Sequence, residues 1–192
     1  RDFLAGLEKA GIRGWPSPIL KGSCRLSGNP FPPSLPGFAE GWVTPQTESA
    51  MLVVEAFLEL LDGGPVLEMC SGRGVKSGQL LCRLPEGVPV ESWELSPGKV
   101  ASAKAEMQRI GVSRRAVFKV GDALTLEPEQ APRAVLLDAP CSGSGTWKRH
   151  PESKWRLTPE RLAQMARLQA SLLERAFRLV QPGGIVVYCT CS

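Results

Sequence analysis

The sequence predicts an α/β domain with a mostly parallel, doubly wound sheet. Three observations carry this reading. Apolar runs of strand length alternate with stretches of helical spacing from about residue 46 onward. The runs Ala134-Val-Leu-Leu-Asp138 and Ile185-Val-Val-Tyr-Cys189 are nearly continuous in apolar residues, as strands covered on both faces are. A glycine-rich turn, Glu68-Met-Cys-Ser-Gly-Arg-Gly-Val-Lys-Ser77, joins the first such strand to its helix, and in open α/β sheets ligands bind outside the carboxyl ends of the strands.

The elements follow in order. Residues 3–12 have helical spacing and a glycine stop. Residues 14–41 are rich in proline and glycine and read as an ordered loop or linker, in which Pro33-Ser-Leu-Pro36 supplies stiffness. Residues 1–40 are therefore expected to form an N-terminal helix and linker segment, and residues 41–192 the main domain. A helix is expected from Gln46 to Leu61, with Thr44 as its cap and Pro45 at its first position. Strands are expected at 65–69, 88–93, 116–120, 134–138 and 185–190, with helices from Lys76 and over 97–110. The longest helix is expected at 158–180: Thr158 caps it, Pro159 starts it and Pro182-Gly-Gly follows its end.

Composition narrows the class. The 192 residues suffice for one α/β domain with a real core, and 43% hydrophobic with 22% charged residues is ordinary for a soluble protein. No apolar run approaches a membrane span and no signal-peptide pattern opens the chain. The six cysteines sit at irregular spacings on strand ends and helices, which fits a reducing cytoplasm. A net charge of +4 permits an anionic partner such as RNA. Arg1 is not an initiator and Ser192 directly follows a strand and a cysteine motif, so the chain reads as a piece of a longer protein.

The first half carries cofactor-binding candidates. Glycines in the 70–76 loop let the backbone approach a ligand closely. The ending Val75-Lys76-Ser77 is like a phosphate-binding loop, but Val75 stands where that motif needs glycine. Glu94 ends the second strand 22 residues after Gly72, a place for binding ribose hydroxyls, although a charge at a helix N-terminus explains it equally well. Asp122, after the third strand, could accept an adenine amino group or merely close a turn. No dinucleotide fingerprint is complete, so adenosine-type cofactors and NAD both remain open.

The second half carries the chemistry. Asp138-Ala-Pro-Cys141 places a carboxylate and a thiol at one strand end, followed by the tight Ser142-Gly-Ser-Gly145. Cys191 in Tyr188-Cys-Thr-Cys-Ser192 lies just past another strand end, 50 residues later. Two parallel strands should bring these thiols to one mouth, where one could attack a substrate and the other finish the reaction. Cys189 is a core candidate by alternation. A zinc site from Cys70, Cys141, Cys189 and Cys191 lacks the usual ligand spacing, so no metal is expected. A protease dyad would have only His150 as its base. Lys148, Arg149 and Lys154 could hold phosphates, and Trp147 or Trp155 could stack on a base or anchor the loop to the core.

These residues resemble the Sun-type bacterial 16S rRNA cytosine-5 methyltransferases, within the wider RNA 5-methylcytosine methyltransferase family. The resemblance rests on Leu35-Pro-Gly-Phe-Ala-Glu-Gly-Trp-Val-Thr-Pro-Gln46, Asp138-Ala-Pro-Cys-Ser-Gly-Ser-Gly145, Arg149-His-Pro-Glu-Ser-Lys-Trp155 and Thr190-Cys-Ser192, and it spans nearly the whole chain. It implies a Rossmann-like S-adenosylmethionine-dependent methyltransferase fold, S-adenosylmethionine as methyl donor, and a cytosine in RNA as acceptor. It further implies that Cys191 is the nucleophile, that Cys141 releases the product and that Asp138 contacts the target base. Cys70, Ser71, Gly72, Arg73, Gly74, Lys76, Glu94, Asp122 and Asp138 would then surround the cofactor, with Lys76 facing the active centre.

The chain departs from the family in its first motif, usually Asp-x-Cys-Ala-Ala-Pro-Gly-Gly-Lys-Thr, where it has Glu68, Ser71, Gly72, Arg73, Val75 and Ser77. Pro45 replaces the usual valine. The family's antiparallel strand pair after Thr-Cys-Ser is expected to be missing, leaving the last strand as an apolar edge. Two rival readings share the fold: a non-catalytic RNA-binding module that assists ribosome assembly, and a methyltransferase for proteins or small molecules, which would need no second cysteine.

Overall fold

The computed structural model describes residues 3–148 and 151–191. Its main sheet has five parallel strands: β3 (Val66–Met69), β4 (Val90–Glu94), β5 (Val117–Val120), β6 (Ala134–Asp138) and β7 (Ile185–Cys189), in the order β5-β4-β3-β6-β7. The first strand in sequence is thus central, and the chain runs outward from it first on one side and then on the other. Such a reversal of strand order opens a crevice at the carboxyl ends, here between β3 and β6.

Period-two alternation sends side chains to both faces, and both faces are apolar. On one side Val66 and Leu136 meet Val54 and Phe57 of α2 (Glu48–Leu60), Leu80 and Leu81 of α3 (Val75–Arg83) and Met107 of α4 (Pro97–Arg109). On the other, Leu67, Met69, Trp93 and Leu137 meet Leu172 and Ala176 of α5 (Pro159–Leu179). Truncating a fully buried residue such as Leu136 to alanine would cost about 2–5 kcal/mol.

The expected strands and helices of residues 65–190 are all present, with ends shifted by at most two residues. Thr158 caps α5 as expected, its hydroxyl accepting from the Arg161 N–H at 3.3 Å. The start of α2 differs. Its cap is Thr47, which accepts from Ala50 N, and the helix begins at Glu48. Thr44 instead takes a bond from Arg109 Nη2 at 3.0 Å and donates to Glu106 at 3.1 Å, so it ties the chain to α4. Of two threonines suited to capping, the one claimed by a tertiary contact could not cap.

The 14–41 segment also holds more order than a linker. After α1 (Phe3–Lys9), β1 (Gly14–Pro16) and β2 (Cys24–Leu26) pair antiparallel, and Arg25 and Ser17 both bind Glu48 at the start of α2. Strands of three residues are too short to show a period in sequence. Gly41 lets this segment press on the end of α4: a Cβ there would sit 2.1 Å from the Arg109 carbonyl oxygen, at a φ of +77°. At the other end of the chain β7 is an edge strand, with half-exposed Tyr188 on it, as the sequence suggested.

Among the described residues no helix is long and apolar enough to cross a membrane.

Candidate active site

The turn after β3 is shaped by backbone. Cys70 has φ +62°, the sole non-glycine residue in the left-handed region among those described. Ser71 N–H donates to the Trp93 carbonyl at 2.8 Å, tying the turn to β4. Gly72 is also left-handed, and a side chain there would meet open space. Gly74 is tight instead: a Cβ would lie 2.8 Å from Ala103, so this glycine lets α3 start against α4.

Glu94, 6% exposed, is woven into the same turn. One carboxylate oxygen accepts from Gly72 N–H at 2.9 Å, the other from Ser96 N–H at 2.9 Å, and Lys99 lies 3.4 Å away. Glu94 thus borders the glycine turn and faces the N-terminus of α4, the second of the two places the sequence allowed it. Asp122 is exposed and accepts from Leu124 N–H at 2.9 Å, which closes its own turn. Ser71 Oγ is buried with no hydrogen-bond partner, and Arg73 points to solvent. Burial pushes the Cys70 thiol up to about 12, and the charges of Glu94, Asp138 and Asp122 add to it.

Below it, Glu68 is fully buried on the central strand. Its Oε2 accepts from Ser77 at the start of α3 and from Ser92 of β4 at 2.8 Å, while Oε1 has no partner. Burial raises its carboxyl to about 7 despite those two hydroxyls and the nearby Lys76 charge.

On the β6 side, Lys76 Nζ forms an ion pair with Asp138 Oδ2 at 2.7 Å. Burial pulls the ammonium down, but the Asp138 bond and charge outweigh it, and Lys76 stands above its ordinary value. The other Asp138 oxygen receives the Cys189 thiol at 3.5 Å. Cys189 packs at the margin of the core, and its thiol is pushed up to about 12 by burial and by the Asp138 charge. The sequence placed Cys189 in the core; its hydrogen bond to the Asp138 carboxylate was not legible there.

The two loops beyond β6 and β7 are stitched by backbone bonds, Ala139 N–H to Cys189 O at 3.0 Å and Gly145 N–H to Cys191 O at 2.8 Å. This stitching brings the Cys141 and Cys191 sulfurs to 2.9 Å, with Cys191 N–H directed at Cys141 Sγ at 3.3 Å. Neither is in a disulfide. Burial, the hydrogen bond to Cys141, and the Cys141 and Asp138 charges hold Cys191 up at about 11, so it is a neutral thiol at pH 7. From the helix side, Gln169 Nε2 donates to the Pro140 carbonyl at 2.8 Å. Nothing in the sequence reading singled out Gln169. Its signal was a polar residue on the stripe of α5 that continues to Leu172 and Ala176.

The segment after Cys141 is basic. Lys148 is exposed, and Lys154 lies over the Trp155 ring at 4.7 Å. Trp155 is 81% exposed, so it does not anchor the loop; Trp147 is half-buried, with an indole N–H that has no partner. Arg149 and His150 lie outside the described residues. Among the described residues no three metal-ligating side chains gather at one point.

Comparison with known proteins agrees with this architecture. The crystal structure of PH0851 superposes with a TM-score of 0.90 at 29% identity, over 98% of this chain and 43% of that one. A methyltransferase homolog protein from Pyrococcus horikoshii gives a TM-score of 0.79 at 27% identity, over 100% of this chain and 60% of that one. The fold is thus that of Rossmann-like methyltransferases. The ribosomal RNA small subunit methyltransferase B of Salmonella arizonae is 38% identical over 99% of this chain. The chain spans 44% of the length of that relative. The family model for 16S rRNA methyltransferase RsmB/F matches residues 55–192, and the chain belongs to that family.

Proposed function

We propose that residues 41–192 are the catalytic part of an S-adenosylmethionine-dependent enzyme that methylates carbon 5 of a cytosine in small-subunit rRNA. The carrying observation is the pair of thiols, Cys141 and Cys191, 2.9 Å apart beside the Lys76–Asp138 ion pair. Methyl transfer alone needs no cysteine; a second thiol has a use where a covalent adduct must be formed and then resolved. We place the enzyme in the cytoplasm, acting as a monomer.

The residues of the first crevice fit the cofactor. Ser71 has an unpartnered hydroxyl, Gly72 leaves room above the turn, and Glu94 and Asp122 present carboxylates to an adenosine. The carboxylates of Glu94, Asp122 and Asp138 lie around this turn, opposite in sign to a sulfonium cation. When bound, the cofactor supplies an electrophilic methyl group.

Carbon 5 of cytosine is a poor nucleophile until carbon 6 carries an added group. In this reading Cys191 loses its proton to water, its sulfur bonds carbon 6, and the electron pair of the 5,6 double bond moves onto the ring between carbon 5 and nitrogen 3. Asp138 hydrogen-bonds the base edge at ring nitrogen 3, and Lys76 balances the charge there. After methylation Cys141, acting as a thiolate, takes the carbon 5 proton, the electrons of that carbon–hydrogen bond re-form the double bond between carbons 5 and 6, and Cys191 leaves as thiolate. The base must leave its stack to reach the centre, which suits loop or single-stranded RNA. Lys148, Arg149 and Lys154 hold its phosphates, and exposed Trp155 offers a stacking face.

Mass spectrometry of rRNA from cells lacking the gene tests the assignment. The expected result is the loss of one 5-methylcytosine from 16S rRNA. Calorimetry with S-adenosylmethionine on the intact protein tests the cofactor; no binding would favour an RNA-binding module without activity.

A further inference from the structure

We propose that the exposed N-terminal half of α5, with the short helix before it, is a track for the RNA phosphate backbone outside the target nucleotide. Arg156, Arg161 and Arg167 are its contacts. The inference rests on the RNA reading given above and extends it beyond Lys148, Arg149 and Lys154.

The charge of this chain is not spread evenly. Residues 146–170 carry six basic side chains and two acidic ones, an excess of four. The formal excess of the whole chain is +4, so the rest of it holds 17 of each sign. Of the two acids, Glu160 is engaged at the start of α5. Its own backbone N–H and the Thr158 hydroxyl hold its carboxyl below the ordinary carboxylate range. A local excess of this kind is the electrostatic footprint of a polyanion.

The fold puts that excess beside the mouth of the site. The Gln169 bond to the Pro140 carbonyl sets residue 169 of α5 level with the loop that carries Cys141. Further along, Leu172 and Ala176 are in the core. Residues 159–168 run the other way, past the loop, for about 15 Å at 1.5 Å per residue. All of them but Met165 are exposed. So are Lys154, Trp155 and Arg156 in the short helix Pro151–Arg156. A helix is normally held by a buried apolar face, and this half of α5 buries almost nothing.

Its arginines are also uncommitted. Arg25, Arg83, Arg109, Arg133, Arg175 and Arg178 each form an ion pair. Two of these, Arg175 and Arg178, belong to the packed half of α5. Arg156, Arg161 and Arg167 form no ion pair among the described residues; Arg161 reaches only the Arg156 carbonyl, at 3.5 Å. A free guanidinium suits phosphate because its planar fork donates two parallel bonds. Arg161 and Arg167 lie six residues apart, about 9 Å along the axis. A stacked strand sets a phosphate roughly every 3.4 Å, so one strand can engage both, two or three phosphates apart. Leu162 and Leu168 are exposed on the same end and would suit a protein, but the charge excess favours RNA.

The experiment uses the intact protein with two probes: unmodified small-subunit rRNA made by transcription, and polyuridylate, which contains no cytosine. Arg156, Arg161 and Arg167 are changed together, to glutamine in one variant and to lysine in another. Filter binding at several salt concentrations gives affinity and salt slope. The glutamine variant should bind both probes ~30-fold more weakly, with the slope lowered by about 2, or about 0.7 for each phosphate on a single strand. In methyl incorporation its KM for rRNA should rise while kcat stays within about twofold. The lysine variant, which keeps the charge, should stay within about threefold of wild type.

If wild type binds rRNA and the glutamine variant matches it in affinity and slope, the track is overturned while the RNA reading stands; a protein covering this helix gives the same result. If wild type binds neither probe, the RNA reading fails and this proposal with it. Thermal melts are read alongside. A lysine variant that is folded yet binds as weakly as the glutamine variant also overturns the proposal, because charge is then not what binds.

Discussion

The two halves of the crevice are built differently. The turn between β3 and α3 is closed by bonds within a short stretch of chain: Ser71 to Trp93, Glu94 to Gly72 and Ser96, Glu68 to Ser77 and Ser92. Its polar groups are mostly buried and tied before any ligand arrives. The thiol pair instead joins two loops 50 residues apart, and its cysteines lie nearer the surface. The first half is a preformed cradle; the second is a junction whose geometry depends on β6, β7 and α5 all being in place. A cradle can lose one bond and keep binding, whereas the junction should fail steeply.

The largest effect should come from the junction. Cys191→Ala is expected to lower methylation by ~10⁴-fold or more, as loss of a nucleophile does, while calorimetric affinity for S-adenosylmethionine changes less than about twofold. Equal loss in both measurements would erase the contrast between the halves.

The pH profile comes next. A thiol held at about 11 is more often ionised as pH rises, so the single-turnover rate should climb about tenfold per unit between pH 7 and pH 9. Cofactor binding should stay nearly flat over that window. A rate independent of pH would mean that RNA binding itself deprotonates Cys191.

Glu68 tests the cradle through stability. Its folded value, about 7, lies above the ordinary 4.5, so the folded state holds the proton more tightly. The resulting contribution is full below about 4.5 and is lost as pH rises through about 7, roughly 3 kcal/mol in all. Chemical denaturation of Glu68→Gln across this range should show that slope removed.

Smaller changes follow. Glu94→Ala should weaken cofactor affinity about tenfold, the worth of one charged hydrogen bond, with the adduct-forming step intact at saturating cofactor. Lys154→Ala should weaken RNA binding only ~3-fold and lower the salt slope by about 0.7, the share of one phosphate on a single strand. A filter-binding titration at several salt concentrations measures both.

Much of this molecule was readable before folding. Local rules gave the strands: Ala134–Asp138 is apolar over its first four residues because both faces are covered there, and the apolar run Ile185–Cys189 forms the partly exposed edge strand. Local rules also gave the cap at Thr158, and the order of the elements placed the Asp138-Ala-Pro-Cys141 and Thr190-Cys191 motifs at neighbouring strand ends. What local rules could not give was decided by contacts between distant segments. Thr44 lost the capping role to Thr47 because Arg109 and Glu106 bind it. Residues 14–26 became a ribbon because Glu48 receives Arg25 and Ser17.

The site divides in the same way. The sequence by itself determined which chemical groups are present and which strand ends carry them, since motif and periodicity are properties of short segments. Only the tertiary structure decided that Lys76 pairs with Asp138, that Cys189 joins them, that the two thiols meet, and that Gln169 reaches the Pro140 carbonyl. Each of these is a hydrogen bond or close contact between residues 29 to 62 positions apart. Bonds of that kind exist only once the parallel sheet has set its strands side by side.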